Sequence, residues 1–263
     1  MSQLALGGVL AVIVAGAAWR AGALSRDGAA AAAVVGAAVF GIGGFPPAVL
    51  LVTFFVSSSA LSFVGRARKT DLSHRLAKGA QRDWVQVTAN GGLAGLLAVG
   101  YGLLGGPAWL AGVTGALASA TADTWATELG VLAQGSPRMI TTGRRVRPGT
   151  SGGVTAQGTL ASLAGGCLLG GVAGYLAGQW ALLAAGGSAG LLGSLADSFL
   201  GASLQARYDC PSCRQGTEQH PIHLRCGTQT ELVGGWGWLD NDGVNLLATG
   251  VGAVTGWAIW TLM

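Results

Sequence analysis

The chain has 263 residues, 51% of them apolar and 10% charged, with 47 glycines and a formal net charge of +4. Soluble domains carry about 25% charged residues, so a water-soluble enzyme is excluded, and a mean hydropathy of +0.52 excludes a disordered chain. Four cysteines are too few for a disulfide scaffold at this length.

Charge-free stretches cover residues 1–19, 28–65, 84–122, 148–196 and 243–263. A spanning helix needs about 20 residues, so the pattern predicts an all-α, polytopic membrane bundle of about eight spans in one domain, 1–263. The first stretch lacks a basic leader and is read as span 1, not as a signal peptide. Gly43-Gly44-Phe45-Pro46-Pro47 divides spans 2 and 3, because Pro stops one helix and opens the next. Gly105-Gly106-Pro107 separates spans 4 and 5, Gly178-Gln179 separates spans 6 and 7, and span 8 runs from about residue 243. VTANGGLA and ASATADTW in spans 4 and 5 align with VTAQGTLA and LGSLADSF in spans 6 and 7, the pattern expected of repeated hairpins of one orientation.

Eight spans put the loops 20–27, 65–83, 132–153 and 202–242 on one side, and these hold 2, 6, 4 and 3 of the Lys and Arg residues, the full complement of 15. Positive loops stay inside, so the expectation is a prokaryotic cytoplasmic membrane with these loops cytoplasmic and both termini outside. Trp19, Trp84, Trp236 and Trp238 then fall at the inner interface, and Trp109, Trp180, Trp257 and Trp260 at the outer one.

Ionisable groups inside a bilayer cost about 2.5–3.5 kcal/mol at a helix centre and need a compensating role. Asp27, Asp83, Asp240 and Asp242 fall at cytoplasmic ends of spans, and Asp197 lies about a turn inside span 7. Asp123 lies about 10 Å inside span 5 if that span ends near Gly130. These positions predict a carboxylate-walled chamber open to the cytoplasm. Asp83, Gln86 and Asn90 share one helical face, as do Ser194, Asp197 and Gly201, and Asp242 lies one turn from Asn245. Asp123 and Glu128 are about 140° apart on an ideal helix, so Asp123 is expected in the chamber and Glu128 at its rim.

Clustered carboxylates suit Mg²⁺, which binds one or two of them together with substrate phosphates. Phosphate ligands are expected from the basic loops, including Arg66, Arg68, Lys69, Arg75, Lys78 and Arg82 before span 4. Arg144, Arg145 and Arg147 lead into Gly149, Thr150, Ser151, Gly152 and Gly153, a Gly-rich run that opens span 6 and offers backbone N–H groups at a helix N-terminus. The loop 202–238 contains CPSCRQGTEQHPIHLRC. Its Cys-x2-Cys and His-x2-Cys pairs predict a structural zinc site of Cys210, Cys213, His223 and Cys226, with His220 as the other histidine within reach.

KGAQRDWVQVTANG, ATADTWATELG, GTSGGVT and LDNDGVNLLATG together resemble the transmembrane protein nineteen group, an integral membrane family whose plant chloroplast member is a phytyl-phosphate kinase. The resemblance runs from about Asp27 to Asn245. It implies a kinase that converts an isoprenoid monophosphate to its diphosphate with CTP or a similar nucleoside triphosphate, and a membrane lipid partner without nucleic acid. On that implication Asp123 and Asp197 hold Mg²⁺, helped by Glu128, Asn90 or Asp242. Lys78, Arg82 and the Arg144–Arg147 loop bind phosphates, Asp83 joins the catalytic residues, and Asn245 binds substrate with Asp242. The alternatives are a CDP-transferring lipid cytidylyltransferase and a transporter or flippase of an anionic lipid.

Overall fold

The computed structural model describes residues 2–63, 81–133 and 135–263. Among these are eight long helices: α1 (Gln3–Arg20), α2 (Arg26–Ala38), α3 (Phe45–Phe63), α4 (Trp84–Leu104), α5 (Pro107–Gly130), α6 (Ala156–Ala177), α7 (Ala181–Ser203) and α8 (Asn241–Leu262). One π-helical turn, Val39–Gly43, extends α2. The expected spans each coincide with a helix, and the turns fall where the sequence places them. Gly44 takes a φ of 83°, which an L side chain resists, Pro107 opens α5, and Gly178 ends α6 in the left-handed region.

Six of the helices are long and apolar enough to cross a membrane; α5 and α7 are the other two. The reason is their position. All thirteen residues from Leu110 to Ala122 of α5 are buried, and α5 packs against α3, α4, α6, α7 and α8. A helix enclosed by protein need not be oily, and α5 spends its interior on small hydroxyls. Ser119 Oγ donates to the Ala248 carbonyl of α8 at 2.9 Å, and Thr114 and Thr121 donate to carbonyls one turn back in α5. The outer helices carry the reverse pattern, exposing Leu6, Val12, Leu96, Leu160 and Val254, as a lipid-facing surface requires.

Glycine lets the central helices touch through their backbones. A Cβ on Gly115 of α5 would lie 3.1 Å from the Cα of Gly256 in α8, and one on Gly166 of α6 would lie 2.6 Å from the Gly186 carbonyl oxygen of α7. Such approaches are closer than ordinary carbon contacts of about 3.5–4.0 Å.

The polar segments gather at one end. A short antiparallel hairpin, β1 (Arg138–Met139) with β2 (Gly153–Val154), leads into α6. The 202–238 segment, expected as a loop, is a small β unit. It holds a sheet ordered β4 (Gln215–Thr217), β3 (Arg207–Cys210), β7 (Glu231–Gly234), and a hairpin of β5 (Ile222–His223) and β6 (Thr228–Gln229). Strands of two to four residues are too short for alternation to announce them.

Candidate functional site

The helices α4, α6 and α8 begin, and α5 and α7 end, around a chamber of about 620 Å³. Its wall takes Asp123 and Glu128 from α5, Asp197 and Ser194 from α7, and Asp240, Asp242 and Asn245 from the start of α8. Gln86 and Asn90 of α4 face it, as do the Gly149–Thr155 run and Gly158 and Thr159 of α6. Asp242 is 4% exposed. Asp197 lies within electrostatic reach of both Asp123 and Glu218, and its Oδ2 has no hydrogen-bond partner among the described residues. Three carboxylates so placed repel one another, a tension that protons or a cation would relieve.

Anion-binding features share the same space. Each of the three helices starting here is capped by its own side chain: Asp83 accepts from Gln86 N–H, Thr155 from Gly158 N–H and Asp240 from Gly243 N–H. Their positive dipole ends meet around the chamber. The Gly-rich run rests directly on α7. Gly152, at φ 79°, has no room for a side chain, because a Cβ there would lie 2.8 Å from the Ser198 carbonyl oxygen and from the Ala202 Cα.

Arg82 stands at a junction. Its backbone is pinned to the α1–α2 turn, with Arg82 N–H donating to the Ala23 carbonyl and Ser25 N–H donating to the Arg82 carbonyl, both at 3.1 Å. The guanidinium lies 5.6 and 5.7 Å from the ring centroids of Phe54 and Phe55 and donates to Ser59 Oγ at 3.4 Å. Burial lowers its pKa to about 10, so it remains a cation at neutral pH. With Gln86 and Asn90 it lines both the chamber and a narrow apolar groove between α1, α2, α3 and α4, walled by Ala15, Val35, Phe40, Leu51, Phe54 and Phe55.

The structure corrects several sequence expectations. Asp83 is not in the chamber wall: its carboxylate is taken up by a reciprocal cap with Gln86, whose side chain accepts from Asp83 N–H at 3.2 Å. Arg144, Arg145 and Arg147 are exposed and outside the wall, because the loop carrying them leans on β1 while only the following run, from Pro148, turns inward. Glu128 lines the chamber along with Asp123, and α5 is unbroken between them. Asp27 accepts from Ser25 Oγ in the first turn of α2, whose cap is Ser25 itself. Lys78, with Arg66, Arg68, Lys69 and Arg75, lies outside the described residues.

One wall residue and the residue that supports it went unanticipated. Glu218 comes from the Cys/His unit, and Gln205, 2% exposed, sits behind it. Gln205 Nε2 donates to Glu218 Oε1 at 2.9 Å, while Ser151 Oγ donates to Gln205 Oε1 at 2.9 Å. No local pattern marks them, since the folding of the β unit brings Glu218 to the wall and onto Gln205.

In that unit the ligand atoms of Cys210, Cys213, His223 and Cys226 all lie within 4.8 Å of one another. His223 Nδ1 is 3.6 Å from Cys213 Sγ. His220 is directed elsewhere, stacked on Tyr208 with centroids 4.5 Å apart. The Cys210 thiol is pulled down to about 7, chiefly by the Cys213 backbone N–H, so thiolate, the metal-binding form, is accessible near neutrality.

The family model described as "Integral membrane protein DUF92" matches residues 9–253. Protein PGR of Arabidopsis thaliana is 36% identical over 232 residues, covering 78% of each chain. An uncharacterised membrane protein of Methanocaldococcus jannaschii is 32% identical over 242 residues, covering 90% of this chain and 86% of that one. Another, from Synechocystis, is 27% identical over 228 residues, covering 84% of this chain and 76% of its own. No solved structure matches. With nearly its whole length inside the family model and these relatives beside it, the chain belongs to the DUF92 family of integral membrane proteins.

Proposed function

We propose that this protein is a membrane-embedded kinase that transfers the γ-phosphoryl group of a nucleoside triphosphate, CTP preferred, to an isoprenoid monophosphate. The observation that carries the reading is the continuity at Arg82, Gln86 and Asn90 between a carboxylate-walled chamber and an apolar groove. A single-chain phosphate ester matches that shape: its tail lies in the groove among Phe40, Phe54 and Phe55, and its phosphate meets Arg82 at the mouth. The nucleotide phosphates lie against Gly149–Thr155 and the start of α6, where backbone N–H groups and the helix dipole favour anions.

Asp123 and Asp197 suit Mg²⁺, with Glu128, Asp242 and Asn245 adjacent; the mutual approach of the carboxylates and an Asp197 Oδ2 without a hydrogen-bond partner among the described residues support that fit. The ion, when bound, neutralises charge on the transferred group. A lipid monophosphate oxygen is already anionic, so it attacks the γ-phosphorus without a general base. The bond from that phosphorus to the β–γ bridging oxygen breaks, and nucleoside diphosphate leaves. The chain's residues therefore act by positioning and charge compensation, which accords with a chamber wall containing no histidine among the described residues. Nucleotide chemistry at the basic end accords with its facing the cytoplasm of a prokaryotic cell.

Transport of an anionic lipid is the weaker reading, because the buried run Leu110–Ala122 fills the bundle beyond the chamber with small and apolar side chains. The test is to incubate purified protein with Mg²⁺, CTP or ATP and a panel of isoprenyl monophosphates, then separate the products. Nucleoside diphosphate and prenyl diphosphate are expected; pyrophosphate with a nucleotidyl lipid would replace the kinase by a cytidylyltransferase.

A further inference from the structure

We propose that Cys210, Cys213, His223 and Cys226 bind one zinc ion, and that this ion shapes the chamber wall by fixing Glu218 and, through Gln205, the Gly-rich run at Ser151. The inference goes beyond the kinase reading and uses it only to name what the wall serves.

The four ligands sit on two facing turns. Arg214 N–H closes the first on the Cys210 carbonyl at 2.8 Å, and Gly227 N–H closes the second on the His223 carbonyl at 2.8 Å. Cys210 and His223 are buried at 0% and 1% exposure. Convergence of three thiols and one imidazole is the donor set of a closed tetrahedral zinc site, which is structural because no position is left for a reactant. A β unit this small buries little apolar surface, so a metal is the kind of crosslink on which its order depends.

Glu218 lies in the chain between these turns, and its neighbours are tied down. Gln219 N–H donates to Thr217 Oγ1 at 3.0 Å, Leu224 N–H donates to Gln219 Oε1 at 2.9 Å, and Thr230 Oγ1 donates to the Gln219 carbonyl at 3.0 Å. Among the described residues, Glu218 is the one member of 207–234 in the chamber wall. From it the chain of contacts Glu218–Gln205–Ser151 reaches the run that the nucleotide reading uses. Order imposed by the metal is thereby passed to a loop in a different part of the sequence, which makes Glu218 and Gln205 positioning residues.

The test combines metal analysis with amide hydrogen exchange of the full-length protein in detergent. Wild type is expected to carry one zinc per chain and Cys213→Ser none. Exchange across 149–155 is expected to rise about tenfold in Cys213→Ser and in wild type stripped by a zinc chelator. Gln205→Ala is expected to raise it similarly while keeping zinc, which a merely structural metal site would not explain. Absence of zinc from wild type overturns the site; unchanged exchange at 149–155 on stripping, or in Gln205→Ala, overturns the coupling. These readouts involve no turnover, so they stand or fall separately from the kinase.

Discussion

Asp123 of α5 and Asp197 of α7 face the same chamber, within electrostatic reach of one another, although each lies inside a helix that belongs to the bundle's interior. Placing two carboxylates together in such surroundings is costly for folding. On the proposed function, the same pair would hold Mg²⁺ and so offset that cost. Asp123→Asn should therefore lower kcat by about 100-fold or more while leaving expression and thermal unfolding in detergent near wild type. Activity within a few-fold of wild type would remove Asp123 from the mechanism.

Arg82 joins the chamber to the groove, and its planar cation is stacked near Phe54 and Phe55. Arg82→Lys keeps charge but loses the flat, forked donor set. The expected outcome is a KM for the lipid monophosphate raised about tenfold, with the nucleotide KM changed much less. Steady-state kinetics with each substrate varied in turn checks it; equal changes in both would place Arg82 elsewhere in the site.

Asp83 offers a contrast, because its carboxylate caps α4 and does not enter the wall. Asp83→Ala should cost about 1 kcal/mol of stability, seen as a lower unfolding temperature, with kcat little altered. Asp83→Asn, which retains a capping oxygen, should recover most of that stability.

Backbone contact between α5 and α8 at Gly115 leaves no room for a larger side chain. Gly115→Leu should destabilise the bundle by about 1–3 kcal/mol or more, the usual cost of overpacking. It should also disturb the chamber, since α5 and α8 both line it. Unfolding in detergent and substrate binding measured on the same preparation report the two effects.

The membrane fold was legible because its signals are local: windows of about 20 apolar residues and turns marked by Gly44, Pro107 and Gly178. Asp123 and Asp197 could be found because an acid inside a span has few bland explanations. The Cys-x2-Cys and His-x2-Cys spacing pointed to the cluster and favoured His223, and the structure adds that stacking on Tyr208 takes His220 away. Proximity in sequence misjudged Arg144, Arg145 and Arg147, which adjoin the Gly-rich run and yet stay exposed. Glu218 and Gln205 were illegible, because tertiary contacts alone bring Glu218 to the wall and set Gln205 between it and Ser151.

The decisive measurement follows two labels through one reaction. With purified protein, Mg²⁺, an isoprenyl monophosphate and CTP labelled either at the γ-phosphate or at the α-phosphate, the account predicts label in the lipid product from the γ position alone, and loss of that transfer in Asp123→Asn. Lipid labelled from the α position, or no label transfer from either position, would contradict it.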